Sequence, residues 1–166
     1  MPFIRASRYV ASVDLIDVDE LRELGIRCVL VDRDNTLVPR DTKVAPPEVM
    51  AWLGRLRAAG ITVCMVSNNF HTKEVCASAE QIGCAVVHHA MKPAPVAICV
   101  AMHLTGVPAE QTVMVGDQLY TDMIAGNLAG VRTILVRPQS MEDLWYTQIF
   151  RKVERLFLRG VVYEGD

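Results

Sequence analysis

Five short apolar runs recur along the middle of this chain, and each is separated from the next by a stretch of helical periodicity. The runs are "RCVLVDR" (27–33), "ITVCMVS" (61–67), "CAVVHH" (84–89), "TVMVGD" (112–117) and "VRTILV" (131–136). The first intervening helix is predicted from Pro46 or Pro47, where proline suits the first turn. It carries Val49, Trp52, Leu53 and Leu56 at helical spacing and stops at Gly60. Helices over 72–82, 93–105 and 119–129 follow, ended by Gly83, Gly106 and Gly130. Strands that are apolar on both sides leave no face for water, so they belong in a parallel sheet covered by helices on both faces. The expected fold is therefore α/β: a three-layer, doubly wound, Rossmann-like parallel sheet of five strands.

The chain has 166 residues, enough for one domain with a substantial core. An N-terminal segment (1–25) and a helix at about 141–158 flank the core (27–136). No repeat, low-complexity tract or linker interrupts it. A formal net charge of -2 argues against nucleic-acid binding through bulk positive charge, so no nucleic-acid partner is expected. The cysteines (Cys28, Cys64, Cys76, Cys84, Cys99) are odd in number, include no Cys-x-x-Cys and lie mostly in apolar runs. They are expected as reduced core thiols. No run is long enough to span a bilayer, and "MPFIRASRYV" lacks the apolar centre of a signal peptide. A cytoplasmic location is expected.

In a doubly wound sheet, ligands bind outside the carboxyl ends of the strands, near the point where the strand order reverses. Here those ends read "DRDNT", "SNN" and "GDQ", and Lys92 follows shortly after "CAVVHH". The starting ends of the strands carry no such set. Asp32 and Asp34, two apart, can look into one crevice with Arg33 turned elsewhere, and Asp117 would face them. Carboxylates gathered at one point call for a cation, and oxygen ligands with a phosphate nearby suit Mg²⁺. Ser67 can donate its hydroxyl to a phosphate oxygen, and Lys92 can set a positive charge beside it. Asn68 lies next to Ser67 and is a further substrate-binding candidate. A carboxylate can act as nucleophile through an aspartyl-phosphate, while a second protonates the leaving oxygen and then activates water.

"DRDNT", Ser67, Lys92 and "GDQLYTD", in that order, resemble the four motifs of the haloacid dehalogenase (HAD) phosphohydrolase superfamily. The resemblance covers roughly 27–136. It implies Asp32 as nucleophile and metal ligand, and Asp34 as general acid/base with its backbone carbonyl also on the metal. It implies Thr36 as the residue that steadies the loop, Ser67 as phosphate ligand, and Lys92 as the charge joining nucleophile and phosphate. Asp117 matches the remaining metal carboxylate and Asp122 the second acid of the last motif, serving the metal behind the direct ligands or through water, while Gly116 allows close backbone approach. An aspartate at position 34 resembles the phosphatases of the superfamily. "DRDNTLV", "VSNN", "MKP" and "VGDQLYTD" resemble the small IIIA-type branch that includes the phosphatidylglycerophosphate phosphatases. Arg33 replaces an apolar residue common there, and an aromatic often found near Arg40 is missing.

Neither the gap after Thr36 nor that between Ser67 and Lys92 can hold a cap domain, so an open, capless site is expected. The substrate is then large or surface-bound, or a neighbouring subunit completes the site. The final helix carries Trp145, Tyr146, Ile149, Phe150, Val153, Leu156 and Phe157 beside Arg151, Lys152, Arg155 and Arg159. A core-facing helix with solvated charges is the commoner meaning of such a pattern. A basic amphipathic helix can also lie on an anionic membrane. His88 and His89, with no third ligand at metal spacing, are read as structural. The expected activity is a Mg²⁺-dependent phosphomonoesterase, with phosphatidylglycerophosphate as leading substrate. The alternatives are a soluble phosphatase for a sugar phosphate, nucleotide or phosphoprotein, and a phosphoryl-binding scaffold without turnover.

Overall fold

A computed structural model of the chain describes residues 2–166; Met1, the first residue of the N-terminal flank, lies outside them. Six strands form one sheet: β1 (Arg8–Val10), β2 (Cys28–Val31), β3 (Thr62–Val66), β4 (Ala85–Val87), β5 (Thr112–Gly116) and β6 (Arg132–Val136). All pair in parallel, in the order β1-β6-β5-β2-β3-β4. The sequence pattern predicts five of these. The sixth, β1, comes from the N-terminal segment, where three residues are too few to show alternation. It docks on the edge of β6 with Val10 opposite Val136.

The two faces of the sheet are both apolar because alternate strand residues point to opposite sides. Val29 and Val31 enter one core with Val49, Trp52, Leu53 and Leu56 of α2 (Pro47–Ala58) and Val75, Ala79 and Ile82 of α3 (Thr72–Ile82). Trp52 is fully buried and its Nε1 donates to the Ile16 carbonyl at 2.9 Å, which ties α2 to the N-terminal segment. That segment also holds the short helix α1 (Val18–Glu23). Cys28 and Leu30 point the other way, onto Ala97, Ile98 and Ala101 of α4 (Val96–Thr105) and Ala125 of α5 (Ile124–Leu128). The layers are thus helix, sheet, helix, as the continuous apolar strands require.

Two helices are shorter than their sequence pattern. Residues 93–95 form a turn before α4, and Leu119–Met123 form a π-helical turn before α5. The π turn widens the chain beside the end of β5 and brings Asp122 back toward it, a placement common at functional sites. The cysteines are all free, but only Cys28 and Cys64 are buried, and Cys99 on α4 faces solvent rather than the core. Among the described residues, no helix is long and apolar enough to cross a membrane.

The strand order reverses at β2, whose neighbours are β3 on one side and β5 on the other. The carboxyl ends of these three strands therefore open onto one crevice. No inserted domain covers it: a loop alone joins β2 to α2, and one helix lies between β3 and β4. One wall is instead built by the last helix, α6 (Trp145–Phe157), whose first turn borders the crevice through Tyr146 and Thr147.

Candidate active site

The crevice is a cleft of about 420 Å³, within the range of small-molecule sites. Asp32, Asp34, Asn68, Asn69 and Lys92 line its floor, and Arg40, Lys43, Phe70, Leu144 and Tyr146 stand around it.

Asp32 follows β2 directly, and its N–H donates to the Val115 carbonyl at 3.0 Å, so the sheet ladder itself sets its position. Asn35 turns the chain with φ of 60°, a left-handed conformation that asparagine tolerates. Its amide oxygen accepts from Arg40 N and Ser140 Oγ, which holds the following loop over the cleft. Thr36 Oγ1 donates to Asp117 Oδ1 at 3.3 Å, linking the β2 and β5 loops.

Lys92 is the electrostatic centre. Its buried ammonium donates to Asp32 Oδ1 at 2.8 Å, Asp122 Oδ1 at 2.7 Å and the Val66 carbonyl at 2.7 Å. An ammonium has three donors, and all three are used. Asn68 aims the lysine: its Nδ2 donates to the Lys92 carbonyl at 2.9 Å and its Oδ1 accepts from Lys92 N at 2.8 Å. Ser67 is buried, and its Oγ accepts from Asn69 N at 3.1 Å, which leaves its hydroxyl proton for another partner.

The carboxylates that converge on one point are those of Asp32, Asp117 and Asp122. Each is buried and offers an oxygen within 4.8 Å of the others. The Asp34 carboxylate turns out of this group. Its Oδ1 pairs with Arg33 at 2.6 Å and its Oδ2 accepts from Asn69 Nδ2 at 3.0 Å. Arg33 is itself buried, with Nε on Ser78 Oγ, so it braces Asp34 rather than turning away from it. Asp122 reaches the cluster because Gly116 lacks a side chain: a Cβ there would lie 2.2 Å from Asp122 Oδ2. The Gln118 N–H fixes the same oxygen at 3.1 Å.

Charge is under-compensated in this arrangement. Burial pushes the Asp32 carboxyl well above its usual value; the Lys92 charge opposes this, and Asp122, Asp117 and Asp34 add to it. Burial likewise pushes Asp117 up to about 6, against the attraction of Arg151. Burial alone would lower Lys92, but the Asp122 and Asp32 carboxylates outweigh it and keep the ammonium charged. Three converging buried carboxylates with hard oxygen donors fit a divalent cation, which would hold them ionised.

Several residues here carry no motif that would single them out for this place. Arg151 of α6 pairs with the Asp117 carboxylate, donates to the Asp117 carbonyl at 3.0 Å, and binds Asp143 Oδ2 at 2.5 Å. Asn69 and Arg40 also reach Asp34, the latter at 3.6 Å. Arg40 Nε is buried with no hydrogen-bond partner. Arg151 was legible only as one cation of a basic helix, because its target lies 34 positions back in the chain. His88 and His89 are both exposed and stack edge-on at 5.0 Å, apart from the carboxylate cluster.

Comparison with known proteins agrees with this geometry. The family model for haloacid dehalogenase-like hydrolases matches residues 7–130. A Bacillus subtilis protein named as the probable phosphatase YqeG is 33% identical over 98% of this chain and 94% of its own. A phosphatidylglycerophosphate phosphatase of Arabidopsis thaliana is 31% identical over 94% of this chain, which spans only 47% of that longer protein. Among solved structures, the cobalt-bound deoxy-D-mannose-octulosonate 8-phosphate phosphatase of Haemophilus influenzae superposes with a TM-score of 0.55. It is 17% identical, over 82% of this chain and 89% of that one, a likeness of fold.

Proposed function

This chain belongs to the haloacid dehalogenase-like hydrolase family, as a phosphatase, and on that premise we propose a Mg²⁺-dependent phosphomonoesterase that works through an aspartyl-phosphate on Asp32. The observation that carries this reading is the junction at Lys92, where one ammonium bridges Asp32 and Asp122 on the floor of an open cleft.

Asp32, Asp117, Asp122 and the backbone carbonyl of Asp34 are the residues that would hold the metal. Bound there, Mg²⁺ supplies positive charge to phosphate oxygens and keeps the carboxylates ionised. In the first half-reaction an Asp32 oxygen attacks phosphorus and the bond to the ester oxygen breaks. Asp34 gives its proton to the leaving alcohol. In the second, Asp34 takes a proton from water, the water oxygen attacks phosphorus, and the bond to Asp32 breaks to release phosphate. The Ser67 hydroxyl donates to a phosphoryl oxygen, and the Lys92 ammonium, its three donors held by Asp32, Asp122 and the Val66 carbonyl, sets a positive charge beside the phosphoryl group. Thr36 and Asn68 act by placement, the one on Asp117 and the other on Lys92. Arg33 and Asn69 hold Asp34 at the angle its two proton transfers need.

Phosphatidylglycerophosphate is the substrate we favour. Similarity to the Arabidopsis phosphatase supports it, and so does the open rim, which leaves room for a headgroup presented from a surface. Arg40 and Lys43 on the rim suit the second phosphate of such a lipid. The test is phosphate release from phosphatidylglycerophosphate in mixed micelles, with and without Mg²⁺, beside a panel of soluble phosphomonoesters. Preference for the lipid is expected, with loss of ~10³-fold or more in Asp32→Asn. Equal or better turnover of a soluble ester would keep the mechanism and remove the lipid. Full activity of Asp32→Asn would overturn the nucleophile.

A further inference from the structure

The last helix is turned the opposite way from a core-facing helix. Its inward face is polar: Thr147 and Glu154 are buried, Glu154 Oε1 accepts from Tyr120 N at 3.1 Å, and Arg151 reaches Asp117 and Asp143. Its apolar face points out. Trp145 is 73% exposed, Ile149 55% and Leu156 61%, with Tyr146, Val153 and Phe157 also exposed. Rolling the helix to bury these groups would tear Arg151 from Asp117 and Asp143, so the apolar face is held outward by the site itself.

We propose that this face is a docking surface for an anionic lipid bilayer. Charge supports that occupant. Lys152, Arg155 and Arg159 are exposed, whereas Glu154, the only acid of the helix, is buried. The free charge of the helix is thus entirely cationic on a chain of net charge -2. By helical spacing, Lys152 falls beside Ile149 and Leu156 at one edge of the apolar arc, and Arg159 follows in the turn after the helix. An apolar face bordered by cations, with tryptophan and tyrosine at one end, suits the boundary between headgroups and acyl chains. A second copy of this chain meeting the face across a two-fold axis would bring these cations toward their own images.

The surface also continues into the cleft. Leu144 and Tyr146 line the cleft beside the start of α6, and Phe70, 75% exposed, lines it too. A bilayer seated on α6 would therefore meet the mouth of the active site. This inference deepens the lipid reading of that site and rests on it for its purpose, but its test needs no turnover of lipid.

The purified protein is floated with vesicles of phosphatidylcholine alone and of phosphatidylcholine mixed with phosphatidylglycerol. Binding to the mixed vesicles is expected, weaker by about ten-fold or more on the neutral ones and at high salt. The Ile149→Asp/Leu156→Asp variant should lose vesicle binding while hydrolysing a soluble phosphomonoester at the parent rate, which also reports that it is folded. Lys152→Glu/Arg155→Glu should lose the preference for phosphatidylglycerol. No binding to either vesicle, equal binding to both, or undiminished binding by the aspartate variant would overturn the proposal. So would a dimer of the parent protein that the aspartate variant converts to monomer, since a second copy would then occupy the face. Vesicle binding without turnover of phosphatidylglycerophosphate would remove the proposed substrate and leave the docking surface.

Discussion

Two regions of this molecule invert the usual placement of polar and apolar groups, and they do so in opposite directions. At the carboxyl ends of the central strands, polar and charged groups are buried: Asp32, Arg33, Asp34, Ser67, Lys92, Asp117 and Asp122 all lie below one-tenth exposure. On α6, aromatic and aliphatic side chains face outward. In the first region each cation is paired with acids, and the acids outnumber the cations among them. Lys92 uses three donors on three acceptors, Arg33 braces Asp34, and Arg151 meets Asp117. In the second, the outward groups meet solvent, and the Phe150 and Phe157 rings pair with Tyr120 at centroid distances of 5.9 and 6.2 Å. Buried charge survives by being paired, whereas exposed apolar surface has no such internal remedy. The two regions are joined by Arg151, so the polar interior dictates which way the apolar face looks.

The largest expected effect comes from breaking the polar region at its centre. Lys92→Met removes the only ammonium between Asp32 and Asp122, leaving two buried carboxylates facing each other. Breaking such a pair costs about 3–5 kcal/mol, and phosphoryl transfer should fall by ~10²–10³ as well. Thermal unfolding with and without Mg²⁺ measures the first, and phosphate release the second. Part of the lost stability should return with Mg²⁺, because a cation between the carboxylates replaces the missing charge. A variant as stable as the parent in chelator would mean that these acids are protonated together in the folded state, and that Lys92 does not hold the region.

Arg151→Met tests the join. It should leave Asp117 buried without its guanidinium partner, cost on the order of 1–3 kcal/mol in metal-free protein, and steepen the stabilisation by Mg²⁺. Differential scanning calorimetry across a Mg²⁺ titration separates the two effects. If stability fell equally with and without metal, Arg151 would act on α6 alone and not on the carboxylate cluster.

The strand-end region was largely legible in the sequence because parallel strands are apolar runs that stop at a polar residue, and the stop itself marks the site. Asp32, Ser67 and Asp117 could be placed this way, and Lys92 by its short distance from β4. Asp122 could be placed with the metal-site acids only through the resemblance, since its path to Asp32 runs through a π turn that the helical pattern of 119–129 conceals. Not legible at all was β1, a three-residue strand held by the edge of β6 on one side and by the backbone of Glu164 on the other. For α6 the periodicity revealed an apolar face but not its direction. That direction depends on long-range pairs, Arg151 with Asp117 and Glu154 with Tyr120, which periodicity does not encode. The core-facing helix was the better expectation on hydrophobicity, and the buried polar contacts outweighed it.

The effect confined to a narrow pH window concerns Glu154, the second hold on α6. Burial pushes its carboxyl from the usual 4.5 up to about 7, against the Tyr120 N–H and the Arg151 charge, which pull it down. The sign follows from which state keeps the proton. Between 4.5 and about 7 the folded protein binds a proton that the unfolded chain has released. The stabilisation is therefore complete at the acid end and is lost as pH rises through that window, by about 3 kcal/mol at most. Asp117, raised to about 6 by the same cause, adds to the trend in chelator, and Mg²⁺ should suppress that part by holding Asp117 ionised. Glu154→Gln keeps an oxygen to accept from Tyr120 N and has no proton to lose. The midpoint of thermal unfolding, followed across this range in chelator, should fall with rising pH in the parent and fall less in the variant. An equal slope in both would leave Asp117 and Asp32, both raised by burial, as the source. The inner face of α6 would then be held by Arg151 and packing, with no contribution from a protonated Glu154.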